Sequence, residues 1–276
     1  MKLYSVEDGG GAWLAAERNG ELVDLGNADL TSLIRSGAAG LEAARHAVTH
    51  APARRKLKGA SLGPPLRPGK VLCSGINYRG HALENPNAKM PTEPFFFAKL
   101  PSSVIGPNAP IRHPERTEQL DYEVEFAVVI GRRLTRAAEA EVMGAIFGYT
   151  LLNDVSARDV QFKDAQITLG KNFDGFAPLG PCVVTADELT RPDSVRLRTR
   201  LNGRTLQDGS TSDWLFPLPV LIAYLSHVMT LEPGDVVTTG TPAGVGLFQK
   251  PPIFMKRGDV VEIEAEGIGV LRNPIV

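Results

Sequence analysis

The residues best placed to do chemistry are carboxylates in an apolar setting. In YEVEFAVVIG, alternation along an extended chain puts Glu123, Glu125, Ala127 and Val129 on one face, with Tyr122, Val124, Phe126 and Val128 on the other. Neither face is plainly polar. Two like charges on a half-apolar face repel each other and lose hydration, a cost of several kcal/mol unless a cation compensates. A lone Glu-x-Glu is most often a strand whose carboxylates emerge at a sheet rim. Here a third carboxylate follows: TLLNDVSARDVQ runs an apolar strand into Asp154, then a helix-like or turn segment with Arg158 and Gln161. Lys171 stands further on, in LGKNFDGFAPLGP. Three carboxylates without His or Cys make a hard oxygen site, which suits one Mg²⁺ or Mn²⁺ (Ca²⁺ takes such ligands too) better than Zn²⁺.

A second constellation lies in SGINYRGHALENP, where His81 and Glu84 are three residues apart. On one helical turn they face each other, so Glu84 could orient His81 as a general base for water; on a surface loop the same spacing is a solvated pair. His46 and His50 also share a helical face, but HAVTH lacks the Glu of HExxH and reads as a solvated helix. His113 and His227 belong to no motif. TTGTPAGVG (238–246) fits neither GxGxxG nor GxxxxGK[ST], so a dinucleotide or nucleotide loop is unsupported. It offers backbone N–H groups and hydroxyls that suit a carboxylate, or else a plain hairpin. Cys73 reads as a buried strand residue.

These residues need a scaffold rich in strands and turns. The 28 glycines and 21 prolines in 276 residues exceed the usual combined share of about 12%. From Lys70 onward, VLCSGINY, YEVEFAVVIG, GAIFGYTLLND, PCVVTADEL, VRLRTRLNG, DVVTTGTPAGVG and DVVEIEAEGIGVL read as strands, and FPLPVLIAYLSHVM as a helix opened by proline. The first 65 residues differ, with a turn and one or two alanine-rich helices before the proline-rich ASLGPPLRPGK. A boundary near residue 65 is expected. Lys+Arg at 30 against Asp+Glu at 31 leaves no basic excess for nucleic acid. No apolar run is long enough to span a membrane, and MKLYSVEDGGG lacks the apolar core of a secretory leader, so a cytoplasmic chain is expected. The two cysteines, Cys73 and Cys182, make neither a disulfide framework nor a zinc site.

Seven segments in order, GINYxxHxxE (75–84), FFFAKLPSSVIGP (95–107), DYEVEFAVVIG (121–131), NDVSARDVQ (153–161), GKNFDGFAPLGP (170–181), GTPAGVG (240–246) and IGVLRNP (268–274), resemble the catalytic domain of the fumarylacetoacetate hydrolase family. The resemblance implies a mostly β (α+β) fold, a mixed β-sandwich roll over 66–276, with a small α/β N-terminal domain over 1–65. It also implies a homodimer and a divalent cation held at Glu123, Glu125 and Asp154. By the same resemblance His81 and Glu84 form a water-activating dyad on a lid, while Arg158, Gln161, Lys171, Thr241 and its neighbour Gly240 stand at substrate positions. Lys99-Leu100-Pro101 departs from the family's usual Lys-Pro, and Ser74 replaces a common Gly.

The reaction expected on this basis is metal-dependent cleavage of a carbon–carbon bond in an acylpyruvate-like 2,4-diketo acid. The cation chelates the 2-oxo acid end, His81 oriented by Glu84 deprotonates water, and Lys171 helps to stabilise the enolate. The alternative on the same apparatus is decarboxylation or keto–enol isomerisation of a dicarboxylic 2-oxo acid. A non-catalytic binding protein is the remote third reading. No nucleic-acid or membrane partner is expected.

Overall fold

The computed structural model describes residues 1–9, 11–26, 29–85, 89–163 and 165–276. Its largest element is a mixed twelve-stranded sheet. Ten strands follow one path: Ala53–Lys56, Glu21–Asp24, Gly11–Arg18, Lys2–Asp8, Ala177–Thr185, Ile146–Asn153, Val124–Ile130, Val236–Thr238, Val71–Ser74 and Phe96–Lys99. A second, four-stranded sheet runs in the order Arg204–Ser210, Arg196–Leu201, Val260–Ala265, Gly269–Pro274. The protein is thus mostly β, as its turn-rich composition and alternating runs imply.

Alternation within the strands divides the interior. Val124, Phe126, Val128 and Ile130 join a core with Leu197, Ile263 and Leu271 of the smaller sheet and with Leu218, Ile222 and Leu225. Ala127 and Val129 face the opposite way, into a core with Leu30, Leu33, Ile34 and Ala44. Both faces of the central strand are therefore buried, which explains why its sequence carries no polar stripe. The helix Leu218–Val228 buries Leu218, Leu221, Ile222, Leu225 and Ser226, an i, i+3, i+4, i+7, i+8 stripe. Pro217 caps its start, where a missing N–H costs nothing.

The N-terminal region contains the helices Leu30–Arg35 and Gly37–His50 together with five strands, Lys2–Asp8, Gly11–Arg18, Glu21–Asp24, Ala53–Lys56 and Leu62–Gly63. These strands extend the large sheet, because Lys2 and Leu3 pair with Val184 and Val183. The expected boundary near residue 65 falls between Leu62–Gly63 and Val71–Ser74, two strands of the same sheet that pair with different partners. His46 and His50 are exposed and stack at 4.1 Å, a solvated helical face as expected. No helix among the described residues is long and apolar enough to cross a membrane.

Strand register gathers the chemistry at one end of the sheet. Val236–Thr238 and Val71–Ser74 run parallel, with Thr238 opposite Cys73, so both deliver their following loops to the same end. Val124–Ile130 runs antiparallel to Val236–Thr238, which brings its beginning to that end. Val124 pairs with Asn153, placing Asp154 beside Glu123.

Candidate metal centre and active site

Glu123 immediately precedes the Val124–Ile130 strand and Glu125 lies within it, so period two aims both carboxylates the same way. Asp154 joins them because its N–H donates to the Glu123 carbonyl at 2.9 Å. All three side chains are buried, and each offers an oxygen within 4.8 Å of the others. Buried charge of one sign is unstable by itself. Lys171 Nζ donates to Glu123 Oε2 at 2.8 Å and to Asp154 Oδ2 at 2.6 Å. An Arg158 guanidinium nitrogen donates to Glu123 Oε1 at 2.6 Å.

Two oxygens stay outside this network. Glu125 Oε2 and Asp154 Oδ1 are buried without a hydrogen bond. Lys99 Nζ lies 2.6 Å from Asp154 Oδ1, but its three protons go to the carbonyls of Val155, Lys171 and Phe176 at 3.0, 2.7 and 2.6 Å. The contact is therefore an ion pair rather than a hydrogen bond. An all-oxygen donor set in which Glu125 Oε2 has no hydrogen-bond partner fits a hard divalent cation such as Mg²⁺ or Mn²⁺.

The three carboxyls respond differently to the site. Burial would raise Glu123, but Arg158 and Lys171 outweigh it and hold this carboxyl well below the usual range. Glu125 has no cation at contact, and burial, then Asp154 and Glu123, push it well above. Burial also raises Asp154, against Lys171 and Lys99. Burial alone would lower Lys171, yet Asp154 and Glu123 raise it, so it remains a cation.

The dyad forms as its spacing implies. His81 and Glu84 share the short helix Arg79–Glu84, and His81 Nδ1 meets Glu84 Oε2 at 2.7 Å. A carboxylate only accepts, so Nδ1 donates, and in the neutral ring Nε2 presents a lone pair. Glu84 Oε1 accepts from the Gly244 N–H at 2.8 Å, and Asp213 anchors the helix start through Gly80 N–H at 2.7 Å. The two loops at the parallel strand ends touch at Gly240, whose φ is +81° and whose Cβ, if present, would lie 2.8 Å from the Gly75 carbonyl. Asn77 fastens them by donating a hydrogen bond from its side-chain amide to the Thr239 carbonyl at 3.0 Å.

Between the dyad and the acid group lies a cavity of about 260 Å³. His81, Glu123, Glu125, Arg158, Gln161, Lys171 and Thr241 form its polar side. Phe95, Phe97, Phe162, Ile167, Leu247 and Phe248 form much of its apolar side. Of the other expected site residues, Glu84 backs His81, Asp154 completes the acid group, and Gly240 acts through the loop contact. Thr241 Oγ1 accepts from Gln207 Nε2 at 2.8 Å, which leaves its own hydrogen to donate. Gly170 lets the Thr168–Lys171 helix lie against Gln161, since a Cβ there would fall 2.5 Å from the Gln161 Cα. Ile167, just before that helix, holds φ at +56°, a strained value for a β-branched residue.

Sequence reasoning missed Lys99, Asp121 and Gln207. Lys99 ends the run FFFAK and enters the sequence reading only through Lys99-Leu100-Pro101, a departure from the family's usual Lys-Pro. Asp121 stands one alternation step before Glu123, and that extension of the Glu-x-Glu pattern was the available signal. Gln207 carries no local signal.

Residues 70–276 match the family described as fumarylacetoacetate (FAA) hydrolase C-terminal, and the chain belongs to that family. It is 40% identical over 274 residues to the mitochondrial oxaloacetate tautomerase fahd2 of Xenopus laevis, covering 95% of this chain and 85% of the relative. It is 41% identical over 250 residues to the human mitochondrial oxaloacetate tautomerase FAHD2A, covering 90% and 79%. Among solved structures, a fumarylacetoacetate hydrolase from Exiguobacterium antarcticum superimposes with TM-score 0.87 at 37% identity, covering 100% of this chain and 99% of that one. The 5-carboxymethyl-2-hydroxymuconate delta-isomerase of Mycobacterium smegmatis superimposes with TM-score 0.81 at 36% identity, covering 100% and 98%.

Proposed function

Starting from membership of this family, we propose that the protein is a keto–enol tautomerase of a dicarboxylic 2-oxo acid of the oxaloacetate type. One observation carries the reading: a His–Glu dyad faces buried carboxylates across a cavity, in a chain 40% identical to a relative named oxaloacetate tautomerase. This favours isomerisation over the carbon–carbon hydrolysis that the residues by themselves suggest.

Glu123, Glu125 and Asp154 would hold a divalent cation, which would supply a Lewis acid that lowers the cost of negative charge on the 2-oxo oxygen. Lys171 keeps Glu123 and Asp154 oriented and adds positive charge on the same side. Thr241 donates its hydroxyl proton to a substrate carboxylate. Gln161 accepts from Arg158 at 3.2 Å through its carbonyl, so its amide N–H groups are left for substrate. His81 Nε2 takes a proton from the carbon next to the 2-oxo group and, as the imidazolium, returns a proton to the 2-oxo oxygen, which gives the enol and restores the neutral ring. The reverse transfers regenerate the keto form, and no water is consumed.

The dyad also supports the hydrolytic reading, since the same Nε2 could deprotonate water. One experiment separates the two. With Mg²⁺, the purified protein is expected to accelerate loss of the enol absorbance of oxaloacetate, with the carbon skeleton intact and with inhibition by EDTA. Cleavage of acetylpyruvate at comparable kcat/KM, without tautomerisation, would return the assignment to hydrolase. His81→Ala is expected to lower kcat by about 10²–10⁴-fold, the contribution typical of a general base. We also propose that the chain acts as a homodimer, for which light scattering should give twice the 29.7 kDa chain mass.

A further inference from the structure

We propose that Asp121 is a positioning residue that joins the cavity-wall loop to the arginine orienting a metal ligand, so that the dyad and the acid group move as one unit. This rests on the reading of Glu123, Glu125 and Asp154 as a metal centre.

Asp121 is fully buried, neither lines the cavity nor belongs to the acid group, yet makes four hydrogen bonds. Its Oδ1 accepts from Gly246 N–H at 2.7 Å and Tyr122 N–H at 2.8 Å. Its Oδ2 accepts from Leu247 N–H at 3.0 Å and Arg158 Nε at 2.9 Å. The last contact follows from local pairing: Leu120 and Asp121 pair with Ala157 and Ser156, which brings Arg158 alongside. Arg158 in turn grips Glu123 and Gln161.

At its other end the same loop is held by Glu84 through Gly244 N–H. A continuous hydrogen-bonded route therefore runs from His81 through Glu84, the backbone from Gly244 to Gly246, Asp121 and Arg158 to Glu123. The fit is tight at Gly246, where a Cβ would lie 2.5 Å from Asp121 Oδ1 and 2.0 Å from the Ile253 carbonyl. Capturing loop N–H groups needs only a neutral oxygen. Balancing a buried guanidinium needs a charge, and Asp121 and Glu123 share Arg158 between them. Removing the Asp121 charge leaves Arg158 paired with Glu123 alone, so the guanidinium competes with a cation for that carboxylate.

The test uses the full chain and titrates Mg²⁺ calorimetrically with no substrate present, then measures kcat. Asp121→Asn is expected to weaken Mg²⁺ binding by about 10–100-fold, the range found when a ligand's supporting partner is removed, with kcat falling alongside. Gly246→Ala displaces the loop without altering charge. Because the added Cβ presses on Asp121, it is expected to weaken Mg²⁺ binding as well as to lower kcat by about 10–100-fold, and wild-type Mg²⁺ affinity in this variant would overturn the coupling. Wild-type Mg²⁺ affinity in Asp121→Asn would overturn the inference. If Asp121→Asn gives no cooperative melt, Arg158→Lys carries the test, because it keeps the charge but cannot bridge Asp121 and Glu123; unchanged Mg²⁺ affinity there overturns the inference too. A wild-type protein that binds neither Mg²⁺ nor Mn²⁺ overturns the metal centre and this inference together. One that binds Mg²⁺ without tautomerising oxaloacetate overturns only the activity.

Discussion

Two strands of this protein carry the same Glu-x-Glu pattern and have opposite fates. Glu262 and Glu264, on Val260–Ala265, are about a third exposed and pair across the sheet with Arg200 and Arg198, with Arg272 on the other side. Their ion pairs are partly hydrated, and such pairs contribute about 0–1 kcal/mol each. Glu123 and Glu125 are buried, and across the strand Glu125 faces Leu152 instead of an arginine. The motif is identical, and the environment makes one a solvated ladder and the other a site that calls for a cation. What distinguishes them is the cross-strand neighbour, and that is set by register.

Substitution should separate the two strands most sharply in catalysis. Asp154→Asn or Glu125→Gln is expected to lower metal-dependent turnover by at least about 100-fold, since even supporting partners of ligands are worth about 10–100-fold. Glu264→Gln should leave turnover unchanged in the same steady-state assay. Comparable losses from both would mean that the buried pair has no special role.

Stability should separate them next, with opposite signs. Glu125→Gln removes a buried carboxyl crowded by Asp154 and Glu123, and is expected to stabilise the metal-free protein by about 1–4 kcal/mol near neutral pH in chemical denaturation. Glu264→Gln should destabilise by no more than about 1 kcal/mol.

The dependence on pH follows from the raised carboxyls. Folding favours the protonated form of Glu125 and Asp154, so the metal-free protein carries no penalty below their unfolded values and loses stability as pH rises toward the folded ones. A cation must displace those protons. The rise in melting temperature on adding Mg²⁺, about 2.7 kcal/mol of stabilisation at a hundred times the dissociation constant, should therefore be larger at pH 8 than at pH 6. An equal rise at both values would place the ion elsewhere. The smallest effect belongs to the exposed ladder: raising salt to about 1 M, where screening acts within about 3 Å, should abolish the stability difference between wild type and Arg198→Ala.

Much of the site was legible in the chain because its decisive spacings are local. Period two aims Glu123 and Glu125 together, a three-residue step pairs His81 with Glu84, and each holds wherever the segment lies. The helix Leu218–Val228 was legible for the same reason, through its proline start and its 3.6-residue stripe. The sequence by itself thus determined which side chains could act and which ones share a face. It could not reveal that Glu84 meets Gly244, that Lys99 lies beneath Asp154, that Asp121 faces Arg158, or that the N-terminal strands extend the catalytic sheet. Those contacts join segments tens to hundreds of residues apart. Nor could it reveal which Glu-x-Glu is buried. Tertiary structure decided these points because strand register selects the neighbours, and the neighbours decide whether a carboxylate meets water, an arginine or a cation.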